Sequence, residues 1–464
     1  MLVEERGLSS RATQEVARNG KLGNLSIPLK VQKLQMALQA KAKENPGFRF
    51  YALYDKVYRE DILQFAYARC KTNDGAAGVD GQEFEDIETY GRDRWLGELA
   101  QELREKRYQP QAVRRVFIPK RSGQGRRPLG IPPIRDRTVQ MAAVLVLGPI
   151  FEADLQPEQH AYRTERNALT AVNQVHSLLN SGHTQIIDAD LAAYFDSIPH
   201  SELLKSVARR VVDPTMLHLI KMWLQTPVEE TDERGQKKRT TRNRDEQRGI
   251  PQGSPASPLL SNIYMRRFVL GWKQLGFAER YKAHIVNYAD DLVICCTVNA
   301  AKALQAMRQV MDRLRLTVNE EKTHVCRLPD QHFDFLGYTF GRCYSPQTGR
   351  AYFGSRPSKK SIRSQIESIR EKTDRKRCGL AAEVVVQELN DGLRGWANYF
   401  KLGTVSKAYR AIDASATYRL RRWLCRKHKV RGSGYTRYPD EYLYKKLGLI
   451  RLPQLTHNLP WAKA

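Results

Sequence analysis

The chain has no apolar run able to span a bilayer. The longest, residues 141–151, is interrupted by Gly148 and Pro149 and falls far short of the roughly 20 residues required. Residues 1–6 lack the apolar core of a secretory signal, and no internal repeat is present. Cysteine is scarce: its seven positions (70, 295, 296, 326, 343, 378 and 425) contain no CxxC pair, which argues for a reducing compartment and against a zinc site. Negative charge is also short. There are 50 Asp plus Glu against 77 Lys plus Arg, a formal net charge of +27, so a polyanionic partner is expected and a membrane is not.

The excess charge is concentrated. Residues 401–464 hold 15 Lys or Arg and 3 Asp or Glu, so 12 of the 27 surplus charges fall in the last 64 positions. Tyr409, Tyr418, Trp423, Tyr435 and Tyr438 are interleaved with these cations and are expected to offer stacking surfaces for bases and sugars. A length of 464 residues predicts two to four domains. Residues 1–35, polar with scattered Gly and Asn, are expected to be weakly ordered or to fold on RNA.

Local patterns outline the elements. Residues 51–70 and 92–106 read as amphipathic helices and residues 112–119 as a strand, with the basic stretch 120–127 as a hairpin tip. Residues 229–248 read as a mixed-charge surface insertion. Toward the C-terminus come three helical periods: Ile362, Ile366 and Ile369 after a cap at Ser358; Val385, Leu389, Leu393 and Trp396; and Ile412, Leu420 and Trp423. Those stripes pack on one another, and Arg363, Arg370, Arg394, Arg421 and Arg422 are left to face a groove.

Three segments carry chemistry. Tyr288, Ala289, Asp290 and Asp291 lie between two β-branched apolar runs, residues 283–287 and 292–296, which predicts a hairpin with both carboxylates at its turn. Adjacent carboxylates repel, and a divalent cation relieves them; hard oxygen ligands suit Mg²⁺ bound together with substrate phosphates. A solvated Asp-Asp turn is the plain alternative. Upstream, residues 183–200 read as a strand ending in Asp190 and running into a helix, with Asp188 fitting a helix N-cap. A third carboxylate at a strand end is what a two-ion phosphoryl-transfer site needs. Between them, Gln252 and Gly253 sit in a Pro/Gly-rich loop, residues 248–256, that lets backbone approach a ligand, and Ser257 and Pro258 then start an apolar helix.

In order, these segments resemble the palm motifs of reverse transcriptases, and their flanks resemble the group II intron-encoded branch, also called maturases. The flanks are Gly75-Ala76-Ala77-Gly78-Val79-Asp80-Gly81, Ile118-Pro119-Lys120-Arg121, residues 127–137, residues 316–323, residues 333–337 and Gly395-Trp396-Ala397-Asn398-Tyr399-Phe400. The resemblance spans roughly residues 50–430. Ala77 replaces a usual proline, Pro255-Ala256 stands where relatives often have two apolar residues, and residues 162–166 depart from the usual Phe-Arg-Pro.

The resemblance implies an α+β right hand: an N-terminal extension (residues 1–50), fingers (51–182), a palm with an antiparallel sheet (183–340, with an insertion at 200–250), an all-helical thumb (341–428) and a basic tail (429–464) as a candidate DNA-binding segment. It implies two Mg²⁺ ions on Asp190, Asp290 and Asp291, with Lys322 near the leaving pyrophosphate as a general acid. Phe195 would exclude a 2′-hydroxyl, with a core aromatic as the alternative; Lys120 and Arg127 would hold the triphosphate; Gln252 and Gly253 would pack on the nascent base pair. Arg163 joins the five arginines above as a nucleic-acid contact. Implied partners are intron RNA, an RNA template with a DNA or RNA primer, target DNA and deoxynucleoside triphosphates, in a bacterial cytoplasm near the nucleoid. Monomer and homodimer stay open. Many relatives carry a C-terminal HNH endonuclease pinned by paired cysteines, and the residues after Phe400 are not expected to form one. Two other readings stand beside RNA-templated DNA synthesis with splicing assistance: a host-adopted polymerase of the same lineage in repair or defence, and a splicing factor that no longer polymerises.

Overall fold

The computed structural model describes residues 25–119, 126–232, 234–345 and 348–455. Helices and sheets mix in an α+β arrangement, and contacts divide the chain into two units. The first comprises the described residues up to Asn167 together with Gln185–Val325; the second comprises Ala168–Thr184 and the residues from Cys326 onward.

The core of the first unit is built around the helix Ile134–Glu152, which is buried on nearly every side and absorbs the apolar run noted above. Helices Leu29–Glu44 and Glu60–Asn73 pack on it. Leu29–Glu44 therefore corrects the expectation of weak order through residue 35: Val31, Leu38 and Ala42 are buried and give that segment a reason to fold. The helix expected from residue 51 begins only at Glu60, after a single turn at Tyr54–Val57. The reason is Asp213. Its Oδ2 accepts the main-chain N–H of Leu53 and of Tyr54, both at 2.8 Å, while Oδ1 caps the helix Pro214–Leu224.

Two sheets complete this unit. In one, β1 (Val113–Pro119) pairs antiparallel with β2 (Arg126–Ile131) as the hairpin reading expects, and Lys120 at its tip lies outside the described residues. The stretch read as a surface insertion adds two strands here: β4 (Val228–Thr231) runs parallel to β1 and β5 (Lys237–Thr240) pairs with β4. Buried Val228 and the Arg115–Glu230 ion pair account for that docking. In the other sheet, β3 (Gln185–Asp190) pairs antiparallel with β7 (Asp291–Cys296), which pairs with β6 (Ala283–Tyr288); the order is β6-β7-β3, and β8 (His324–Arg327) follows β3.

In the second unit, β9 (Phe333–Phe335), β10 (Tyr338–Tyr344) and β11 (Ala351–Pro357) form an antiparallel sheet, and the helix Ala168–Asn180 lies against β11. Three helices follow, Lys359–Lys372, Ala382–Tyr399 and Ser406–Lys427, as the three apolar periods predict. The range 341–428 is not all-helical, however, because it opens with the end of β10 and with β11, paired to each other in an antiparallel ladder. Ser358 caps the first by accepting Ser361 N–H at 3.1 Å. Gly337 joins sheet to helix. Its φ is +80°, its carbonyl accepts Ser361 Oγ–H at 2.9 Å, and an added Cβ would meet Ser361 Oγ at 2.9 Å.

Candidate active site

Strand register decides the site. Across β3 and β7, Asp190 stands directly opposite Asp291, and Tyr288 closes the hairpin opposite the same residue. Directly paired positions share one sheet face, so two carboxylates about a hundred residues apart in sequence become neighbours. Ala289 and Asp290 form the two-residue turn. Ala289 has φ +58°, a left-handed conformation that costs a residue with a Cβ about 1–2 kcal/mol and must be held by its surroundings.

Those surroundings are a buried amide network. Asn287 Nδ2 donates to the carbonyls of Ala289 (2.9 Å) and Asp291 (3.3 Å). Residues 158–160 run beside β6: Asn287 N–H donates to Glu158 O and His160 N–H to Asn287 O, each at 2.9 Å. Gln159 Nε2 donates to Asn262 O at 2.9 Å, and Asn262 Nδ2 to Ala161 O at 2.7 Å. The Tyr288 hydroxyl is buried with no hydrogen-bond partner among the described residues, an uncompensated polar group beside the carboxylates.

The segment after the helix Ala300–Arg313 wraps Asp190. Thr323 Oγ1 accepts Asp190 N–H at 3.2 Å, Asn319 N–H donates to Asp190 O at 2.8 Å, and Asn319 Nδ2 and Lys322 Nζ both donate to Asp190 Oδ2, at 3.1 and 3.2 Å. Lys322 is thus placed at the site. Asn319 and Thr323 escaped the sequence reading, although they sit in the same motif at turn spacing from Lys322. Asp188 is not a helix cap: it is inside β3, opposite Val293.

Phe195 is 5% exposed and packs edge-on against Tyr194, in the core as it stands. Its carbonyl accepts Ile250 N–H at 2.8 Å, tying it to the Gln252 loop. That loop leans on β2. Gly130 N–H donates to Gln252 O at 2.6 Å, and Arg127 Nε to Gln252 Oε1 at 3.1 Å. Gly253 has φ +109°, and a Cβ there would lie 2.4 Å from Gly130 O, so only glycine fits. Arg127, Gln252 and Gly253 are therefore one cluster. Beside them burial raises the Asp196 carboxyl above its ordinary value, with Arg115, Arg242 and Arg127 opposing.

Two of the expected nucleic-acid contacts face inward. Arg163 donates through Nε and Nη2 to Glu152 Oε1 (2.9 and 2.6 Å) and through Nη1 to the carbonyls of Gln156 and Gln159 (2.8 and 2.9 Å), with its side chain 7% exposed. It braces the strand-like loop beside β6. Arg421 is 2% exposed, donates to Tyr438 O at 2.8 Å, pairs with Asp440 and lies 3.9 Å from the Tyr435 ring centre. Successive helix residues diverge by about 100°, so Arg421 and Arg422 do not share a face. Arg363, Arg370 and Arg394 are exposed and Arg422 is half-buried. Of the aromatics read as stacking surfaces, Tyr409, Trp423 and Tyr438 are buried, whereas Tyr418 and Tyr435 are open.

Residues 118–340 match a family described as "Reverse transcriptase (RNA-dependent DNA polymerase)", and residues 362–439 match "Group II intron, maturase-specific domain". The chain belongs to the group II intron-encoded reverse transcriptases. Protein YkfC of Escherichia coli (strain K12) is 31% identical over 350 residues, 66% of this chain and 87% of that protein. Group II intron-encoded protein LtrA of Lactococcus lactis subsp. cremoris is 30% identical over 235 residues, covering 50% of this chain and 37% of LtrA. The putative COX1/OXI3 intron 1 protein of Saccharomyces cerevisiae is 27% identical over 329 residues, 60% of this chain and 38% of that protein. The chain thus spans well under half of the two intron proteins and most of YkfC.

Membership makes this a polymerase domain joined to a maturase domain, and the donor chemistry agrees. Three carboxylates are the hard oxygen ligands Mg²⁺ takes. Among the described residues no three His, Cys, Asp or Glu side chains already converge as a metal cage. No helix among the described residues is long and apolar enough to cross a membrane.

Proposed function

We propose that the chain adds deoxynucleotides to a primer 3′-hydroxyl along an RNA template, and that it binds group II intron RNA, assists its splicing and copies it during insertion into target DNA. The observation that carries this is the pairing of Asp190 with Asp291 at the turn bearing Asp290. Those three residues would hold two Mg²⁺ ions, which supply charge neutralisation at the phosphorus and activate the attacking hydroxyl. The protein's own part is positioning. Asn319 and Lys322 orient the Asp190 carboxylate. Lys322 would leave Asp190 for the departing pyrophosphate and give it a proton. Phe195 would close the space of a 2′-hydroxyl, the Gln252–Gly253 loop would support the new base pair, and Arg127 with Lys120 would meet the triphosphate.

In this reading fingers, palm and insertion lie in residues 51–340 and the thumb in residues 341–428, with Arg363, Arg370, Arg394 and Arg422 toward nucleic acid. Primer extension on a poly(rA)/oligo(dT) duplex tests it. Asp290→Asn is expected to lose on the order of 10³-fold or more in rate, from several kcal/mol of lost transition-state stabilisation, while intron binding stays intact. Extension within about tenfold of the unsubstituted protein refutes the assignment. Strong extension with no flanking intron that responds to the protein would favour the host-adopted polymerase.

A further inference from the structure

A second cationic site lies on the helix Ser257–Gln274, away from the loop that precedes it. A cleft of about 230 Å³, open to solvent, is bounded by the end of the helix Ile134–Glu152, by His200–Ala208 and by Ser257–Gln274. Its charged lining is Lys205, Arg209, Arg266 and Arg267 against Asp154 and Glu202.

Both acids are already engaged. Glu202 divides its carboxylate between Lys205 and Arg267, each at 2.8 Å. Asp154 Oδ2 lies 3.3 Å from Nε of the buried Arg210, whose other nitrogens donate to the carbonyls of Ala42, Asn45, Pro46 and Phe48. Arg266 donates Nε–H to the main-chain carbonyl of Asp154, at 2.7 Å. Arg209 is exposed and forms no ion pair within 4 Å among the described residues; its charge adds to those of Arg210 and Arg266 that oppose the burial raising the Asp154 carboxyl. Burial holds the Arg266 guanidinium below its ordinary value; Asp154 opposes this, and Arg209 and Arg210 add repulsion. The cations are thus crowded beyond what two carboxylates neutralise, and an anion in the cleft would relieve them.

We propose that this cleft binds a phosphodiester of a nucleic-acid strand through Arg209 and Arg266, with Lys205 at its rim. Phe151, the aromatic side chain in the lining, is 2% exposed, so no ring face is open to stack a base. Recognition here is of backbone and is independent of sequence. Arg266 stands nine residues beyond Ser257, about 13.5 Å along the helix axis, so the contact is separate from the Gln252–Gly253 loop that precedes the helix. The site requires a nucleic-acid ligand but no polymerisation.

The test uses the full chain and an RNA/DNA primer-template duplex without nucleotide, so it reads binding whatever the fate of the polymerase reading. Arg209→Glu should weaken binding about tenfold near 100 mM salt and lower the log–log salt slope by about one. Arg313→Glu, an exposed position on the helix Ala300–Arg313, controls for net charge and should change little. Lys205, with its side chain 72% exposed, should be shielded from chemical acetylation when the duplex is bound. Equal effects of Arg209→Glu and Arg313→Glu, or Lys205 acetylation unaffected by the duplex, overturn the proposal.

Discussion

Arg163 separates a structural arginine from a nucleic-acid contact, and Arg163→Ala makes the distinction measurable. Truncation removes the fork on Glu152 and the donors to Gln156 O and Gln159 O, leaving a carboxylate whose side chain is 29% exposed and two carbonyls to find new partners. Breaking a fully buried pair costs about 3–5 kcal/mol; partial access of water to Glu152 places the expected loss near the lower end, about 3 kcal/mol. For a unit of this size, with an unfolding entropy of about 2.1 cal/mol/K per residue, that corresponds to a fall of about 5 °C in melting temperature. The damage should reach catalysis. Residues 158–160 hold β6 through Asn287, whose side chain in turn holds the Asp290 turn, so turnover should fall more than primer-template affinity. Arg163→Lys should restore only part of the stability, because an ammonium cannot span both carbonyls and the carboxylate. The assays are thermal melting and a salt titration of duplex binding. An unchanged melting temperature with a salt slope reduced by about one would mean that Arg163 meets a phosphate and that the reasoning is wrong.

Other outcomes follow from the same geometry. Phe195→Val should admit ribonucleotides while deoxynucleotide incorporation survives, read in a single-nucleotide assay; unchanged discrimination with lower stability assigns the ring to the core alone. Asp136 is raised to about 6 by burial, opposed by hydrogen bonds from Tyr108 Oη–H (2.7 Å) and Gln111 N–H (2.9 Å). A carboxyl with a raised folded pKa favours the fold while protonated. Its contribution is therefore present below about pH 4 and lost as pH rises toward 6, by about 3 kcal/mol. The melting-temperature difference between the unsubstituted protein and Asp136→Asn should accordingly fall across that window, and a pH-independent difference contradicts it. Arg363→Ala with Arg370→Ala should reduce the salt slope of duplex binding by about two between roughly 50 and 200 mM salt. Arg421→Ala should lower the melting temperature and leave that slope alone, and the reverse pattern would put Arg421 back in a binding groove.

What the sequence determined by itself is what short-range physics controls. β-branched apolar runs on either side of a polar pair specify a hairpin with Asp290 and Asp291 at its tip, whatever surrounds it. The cap at Ser358 and the three apolar stripes behind it likewise specify helices from neighbouring residues alone. Tertiary structure decided which distant groups meet and which way long side chains turn. Asp190 meets Asp291 through a strand register set by burial on both faces of one sheet, and Asn319 and Thr323 reach Asp190 only because the chain returns beside β3. The docking of β4 alongside β1 has no local signature either, since a parallel pairing depends on a crossover. The arginines show the limit most clearly. Composition counts Arg163 and Arg421 with every other cation, yet one is consumed by Glu152 and two carbonyls and the other by Asp440, Tyr438 and Tyr435. A guanidinium carries five donors on a flexible stem, so its direction is chosen by whichever acceptors the fold leaves without partners, and those are known only once the chain is packed.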